Sequence, residues 1–309
     1  MSEVSQPGFT APTTAALKGR IVTFMQGAST EITPSEQSRL AELQCILAAG
    51  TSIYVAHTPN ACFDEVIDAA VAVQEAGFFA VPHIAVRRIA DSHGLRAGLA
   101  RLERAGIDRI LLIGGDAARP VGEFSSTLDV LQSQLLKDSG ITRVAVAGHP
   151  QGHNAVPGAA LWAALEAKQE WAARAGVDMY VVTQFGLSTT ALKAWERELA
   201  LHKIRLGVRA GIAGPASLAK LAHFALQCGI GASMRALMRN LSAAAHAPEL
   251  ATTPDQHLLS LMSAPTAAQV VAPHFFAFGG ALQTARWMRQ ISNAAFEIDA
   301  ERSRFTLPS

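Results

Sequence analysis

Short apolar runs rich in β-branched residues alternate along this chain with longer, alanine-rich segments of helical spacing. Parallel strands cannot be joined by a tight turn and need a crossover, usually a helix, so alternation of this kind points to a parallel sheet. Eight candidate strands can be read, at residues 20–32, 52–57, 78–83, 109–113, 143–147, 179–184, 205–209 and 270–276. Several are apolar on both faces, as strands covered from both sides are. Helical spacing runs over 35–48, 63–76, 94–105, 128–137, 158–175, 189–201 and 216–227. The dipeptides Ala76-Gly77, Ala105-Gly106 and Ala175-Gly176 each fall between a helix and the next strand. A glycine just past a helix is the usual left-handed stop, so these mark repeated helix-to-strand turns.

Eight strands with intervening helices predict an α/β chain closed into a (β/α)8 TIM barrel, and 309 residues suit one barrel of about 250 residues with extensions. The alternative, a doubly wound open sheet, usually carries a glycine-rich phosphate loop after its first strand, and no such loop follows any strand here. The expected organisation is a polar, flexible leader over 1–18 and a single barrel domain over 19–309. Between strands seven and eight lie about 60 residues, 211–269, where extra helices and a loop near 247–255 are expected.

Composition narrows the partners. Half the residues are hydrophobic, 17% are charged and the net charge is +1, which argues against a nucleic-acid or membrane-surface partner. The pair Arg87-Arg88 reads as a solvated helix start. Cys45, Cys62 and Cys228 are far apart and lack metal-site spacing, so each is expected to be a small buried apolar residue in a reducing, cytoplasmic protein. No apolar run reaches the ~18 residues of a membrane span, and the first residues lack the order of a signal peptide. The alanine-rich helices are candidates for homo-oligomer contacts, though such faces also pack within one chain.

In a closed parallel barrel, chemistry gathers at the C-terminal ends of the strands. Read in that register, Glu31, His57, His83, Asp116, His149, His153 and Gln184 all fall at strand ends and would share one rim. A histidine at a strand end is most often a hydrogen-bonded structural residue, and Asp116 after two glycines suits a turn; seven in step with the repeat call for more. A metal site is not expected, because only His149 and His153 are close in sequence.

These segments resemble the methylenetetrahydrofolate reductase family, over roughly 20–229 and again at the last strand. Ser29-Thr30-Glu31-Ile32-Thr33-Pro34 stands where the family has Ser-Phe-Glu-Phe-Phe-Pro. Val81-Pro82-His83 resembles its Ala-Pro-His, and Gly114-Gly115-Asp116 its Arg-Gly-Asp. His149-Pro150-Gln151-Gly152-His153 resembles Tyr-Pro-Glu-x-His. Ala175-Gly176-Val177-Asp178 and Thr183-Gln184-Phe185 resemble Ala-Gly-Ala-Asp and Thr-Gln-Phe, and Ala210-Gly211-Ile212-Ala213-Gly214-Pro215 is similar to its Pro-Gly-Ile-x-Pro. The departures fall mostly on flavin positions: Gly114 for Arg, His149 for Tyr, Gly279-Gly280 for Asn-Arg, and Thr30 for Phe. Each lost charge-assisted phosphate contact costs on the order of 1–3 kcal/mol.

The resemblance implies an oxidoreductase of one-carbon metabolism and methionine biosynthesis. It would use NADH or NADPH, through a weakly bound FAD, to reduce 5,10-methylenetetrahydrofolate, or run the reaction oxidatively. It implies Glu31 and Asp116 as catalytic residues, and Asp116, Gln184, Phe185 and Phe275 as contacts to the folate substrate. It implies Ala56, His57, His83, Ile113, Gly114, Gly115, Asp116, His149, His153 and Lys168 as cofactor contacts, with Gln151 a weaker candidate. Alternative readings are a flavin-independent reductase with direct hydride transfer, a non-catalytic folate-binding barrel, and an unrelated metal-dependent aldolase or lyase.

Overall fold

The computed structural model describes residues 12–186, 189–217, 220–221, 251–263, 269–299 and 301–308. Eight parallel strands close into a barrel in chain order: β1 (Ser29–Ile32), β2 (Ser52–Val55), β3 (Phe79–Ala85), β4 (Arg109–Ile113), β5 (Arg143–Gly148), β6 (Asp178–Thr183), β7 (Gly207–Ala213) and β8 (Val270–Phe276). The barrel closes where Ser29 pairs with His274 and Thr30 with Phe275. Around it lie α1 (Thr14–Met25), α2 (Leu40–Gln44), α3 (Phe63–Glu75), α4 (Ser92–Arg104), α5 (Thr127–Gln132), α6 (Gly158–Ala175), α7 (Thr189–Leu201), α8 (Asp255–Ser263) and α9 (Ala281–Ser292). Among the described residues no helix is long and apolar enough to cross a membrane.

Period-2 alternation splits each strand between two environments. Tyr54, Val81, Leu111, Ala145 and Val182 form a cluster of their own in the lumen. Their neighbours Ile53, Val55, Ala80, Ile110, Leu112, Val144 and Val181 join the larger core under the helices. Helix α3 answers with Val66, Ile67, Ala70 and Val73, a 3.6-period face, and its start is closed by a capping box between Cys62 and Glu65. The Ala-Gly turns behave as the sequence predicts: Gly77, Gly106 and Gly176 have φ of 81°, 70° and 67°, a region costly for any residue with a Cβ.

The lumen is polar toward its N-terminal end. The Tyr54 and Tyr180 hydroxyls meet at 2.8 Å across the barrel. Arg209 lies over the Tyr180 ring at 5.5 Å and donates to the Gly27 carbonyl at 2.7 Å. His274 Nδ1 lies 3.0 Å from Ser29 Oγ, and the His274 ring tilts against Tyr54 at 4.3 Å. These groups fill the floor, and the strands' C-terminal ends form the mouth.

Several expectations are corrected. The first strand is not 20–32: residues 14–25 form α1, capped by Thr13, and only Ser29–Ile32 is strand. Ile21, Phe24 and Met25 are buried at helical spacing, a pattern a short apolar run shares with a strand. The leader therefore turns helical before Lys18, and its first eleven residues lie outside the described residues. The segment 35–48 is a 3-10 turn, Pro34–Arg39, followed by the short α2. The helix expected over 128–137 ends by Gln132. The helix expected from 216 instead begins as a two-residue strand, Ala216–Ser217, antiparallel to Ala251–Thr252. Most of 218–250 lies outside the described residues, Cys228 included; of the extra helices expected there, α8 is described. Cys45 and Cys62 are exposed, not buried. A C-terminal hairpin, Glu297–Asp299 with Arg304–Thr306, was not anticipated.

Candidate active site at the barrel mouth

Glu31 is the penultimate residue of β1 and, two residues after Ser29, shares its lumen side. Its Oε1 accepts a hydrogen bond from Ala277 N–H at 3.2 Å, just past the end of β8. Burial pushes the Glu31 carboxyl up to about 7, and the nearby Glu36 charge adds to the rise; the N–H groups of Ala277 and Phe278 pull the other way. A carboxyl poised near neutrality on the rim can deliver a proton at physiological pH.

On the β2–β4 side the mouth holds His57, Arg88 and Asp116. Arg88 donates from Nε and Nη2 to Asp116 Oδ1 at 2.8 and 2.7 Å, and from Nη1 to the Pro59 carbonyl at 3.0 Å. His57 is buried, and burial followed by the Arg88 charge pushes its imidazole down. The solvated-helix reading of Arg87-Arg88 is thereby corrected. Strand β3 runs on to Ala85, so its true exit is Val86-Arg87-Arg88, and His83 sits two residues inside the strand. There burial pushes His83 down to about 3, helped by neighbouring His57, and its buried Nε2 has no hydrogen-bond partner among the described residues. Ala56, Ile113, Gly114 and Gly115 follow at the strand exits; Ile113 packs against the lumen cluster, and a Cβ added at Gly114 would meet open space.

The β5 exit carries His149 and His153, their rings edge-to-face at 5.3 Å. With Lys168 of α6 and Trp162 and Trp195, His149 lines a cavity of about 260 Å³. Burial pushes Lys168 down to about 8; it pushes His149 down to about 4, with His153 and Lys168 contributing. No carboxylate among the described residues lies within ion-pair distance of Lys168, although Glu198 lines the same cavity. Trp162 stacks on Trp195 at 5.8 Å and on His202 at 4.5 Å.

Gln184 follows β6 and shares a small cleft with Gln151, Phe185, Gly211 and His257. Phe185 is buried against Phe276 and Phe278. Phe275 does not reach the mouth: it is fully buried and packs edge-on against Trp287 of α9 at 5.3 Å. Alternation places Phe276, beside His274, on the lumen side instead.

Of the seven expected rim residues, Glu31 lies by β8, His57 and Asp116 by β2–β4, and His149 and His153 after β5, while Gln184 lines a separate cleft after β6 and His83 lies inside β3. Sequence reading missed Arg88, Tyr54, Tyr180, Arg209, Phe276, Trp162, Trp195 and His257. Applied from the true end of β3, the strand-end rule would have found Arg88. Among the described residues no group of three or more His, Cys, Asp or Glu side chains converges as a metal centre. No protein-family model matches the chain.

Proposed function

We propose that the protein is a reductase of 5,10-methylenetetrahydrofolate, resembling the methylenetetrahydrofolate reductases. The observation that carries this reading is Glu31, a carboxyl at the exit of β1 whose burial brings it to about 7. The reaction needs an acid at N10 of the folate. A proton from Glu31 to N10 lets the bond from the bridging carbon to N10 break, which leaves an iminium at N5. Addition of a hydride to that carbon gives the 5-methyl product, and the nicotinamide donor leaves oxidised.

The implied flavin fits the residues in part. Lys168, a half-buried cation with no ion-pair partner among the described residues, suits a phosphate. Nε2 of His83, without a hydrogen-bond partner among the described residues, offers a hydrogen bond below the mouth. FAD, if bound, would relay the hydride from the nicotinamide to the folate. The chain's own part is to hold the folate's donor edge at Asp116 and Gln184, keep His83 neutral, and present the acid. Replacing Lys168 with alanine should weaken FAD binding by about tenfold to a hundredfold, the worth of one charge-assisted contact, as read by fluorescence titration. Unchanged affinity would remove Lys168 from the phosphate site.

The test of function is NADH or NADPH oxidation with methylenetetrahydrofolate, anaerobically, across added FAD. Activity saturating with FAD supports the flavin-dependent reductase. Activity in flavin-free protein, indifferent to FAD, supports direct hydride transfer. The absence of folate-dependent oxidation with either nucleotide refutes both.

A further inference from the structure

We propose that Arg88 is a positioning residue that sets the specificity of Asp116. It would turn a lone carboxylate into an acceptor suited to an uncharged pair of N–H donors, such as the amino-pyrimidine edge of a reduced pterin. The inference rests on the folate reading above.

Arg88 commits three donor contacts at this point, two to Asp116 Oδ1 and one to the Pro59 carbonyl. A carboxylate has about four acceptor sites. Arg88 takes two on Oδ1, and no hydrogen bond from the described residues reaches Oδ2. The two remaining acceptor sites both lie on Oδ2, so an amino group and an adjacent ring N–H would converge on that one oxygen. The pair is charge-neutral, so the electrostatic gain that an isolated carboxylate offers a cation is largely cancelled. Side-chain exposures of 20% for Arg88 and 43% for Asp116 leave the carboxylate accessible while the guanidinium is mostly covered.

The neighbouring residue completes the grip. Arg87 N–H donates to the Gly114 carbonyl at 3.1 Å, and its guanidinium donates to the carbonyls of Ala117 at 3.3 Å and Ser125 at 2.9 Å. The backbone on both sides of Asp116 is held by Arg87, its side chain by Arg88, and the β2 exit is tied in through Pro59. Lysine could not reproduce this, because it lacks the planar fork that reaches two partners at once.

The experiment is calorimetric titration of tetrahydrofolate into wild-type protein, Arg88→Ala, Arg88→Lys, Asp116→Ala and the Arg88→Ala/Asp116→Ala double variant, with melting temperatures as a check on folding. Arg88→Ala should bind about tenfold more weakly, Arg88→Lys should fall between, and the double variant should bind no worse than Asp116→Ala alone. Arg88→Ala affinity within about twofold of wild type, or losses that add in the double variant, would overturn the role of Arg88 and leave the folate reading intact. Wild-type protein that does not bind tetrahydrofolate overturns the folate reading and this role with it. A folate-independent readout accompanies these: the His57 imidazole, held down by burial and by the Arg88 charge, should titrate higher in Arg88→Ala by NMR, and an unmoved His57 would overturn the placement of Arg88 at this site.

Discussion

On the reductase function proposed above, replacing Glu31 with glutamine is expected to cut turnover of methylenetetrahydrofolate by about 10²- to 10⁴-fold, the usual worth of a positioned acid. Glutamine keeps the shape and the acceptor that Ala277 N–H uses, but has no proton to give at N10. In the wild type, activity limited by this step should decline as pH rises through about 7, where Glu31 loses its proton. The same substitution should also change stability, with a defined sign. Glu31 holds its proton more tightly folded, near 7, than unfolded, near 4.5. Its contribution is therefore fully present below 4.5 and is lost as pH rises to about 7. Above that window an ionised carboxylate is held in a costly environment, which Glu31→Gln removes. Urea denaturation at pH 5 and pH 8 should show the variant gaining stability relative to wild type at the higher pH. Turnover retained in Glu31→Gln would take the acid role away; equal stability differences at the two pH values would mean that the carboxyl is not raised.

The barrel was legible because its turns and its alternation are local. Each Ala-Gly turn states a left-handed backbone, and β4, α7 and β8 begin and end where periodicity puts them. The errors fall where one pattern serves two structures. Ile21, Val22, Phe24 and Met25 read as a strand, because a short apolar run suits a buried strand as well as a helix. What decided it is Thr13, whose side chain caps Ala16 N–H, and the packing of α1 against α8, α9 and β8. That packing is non-local and cannot be read from a window of sequence.

The site was legible to the same depth. Glu31, Asp116 and Gln184 could be placed at strand exits because the ends of β1, β4 and β6 were read to within one residue, whereas β7 runs four residues past its expected end. Arg88 was hidden by such a shift: ending β3 at His83 rather than Ala85 pushed the two arginines into the following helix. Cys62 shows a different limit. Its side-chain chemistry predicts burial, yet it stands exposed at the N-cap of α3, a position set by its place in the loop. Tyr54 and Tyr180 lie mid-strand and carry no local mark of their contact, which exists only because the barrel closes.

A slip of one residue reverses every side chain on a strand, and β8 is where that matters most for the site. The two faces there are adjacent phenylalanines, so their substitution separates structure from function. Phe275 is fully buried, exposed to neither lumen nor solvent; it packs against Trp287, which stacks in turn toward Phe305 of the C-terminal hairpin. Phe275→Ala should therefore cost about 3–5 kcal/mol in urea unfolding, the range for a buried aromatic whose cavity cannot collapse. Phe276 lies half-buried on the lumen face with His274, Phe185 and Phe278. Phe276→Ala should cost less stability and instead raise the KM for the folate, because it removes a wall of the mouth and leaves the helix layer intact. The reverse pattern, with Phe276→Ala the more destabilising and Phe275→Ala the one that alters KM, would mean that β8 is shifted by one residue. His274 would then leave the lumen, and the Ser29–His274 contact that closes the barrel floor would have to be redrawn.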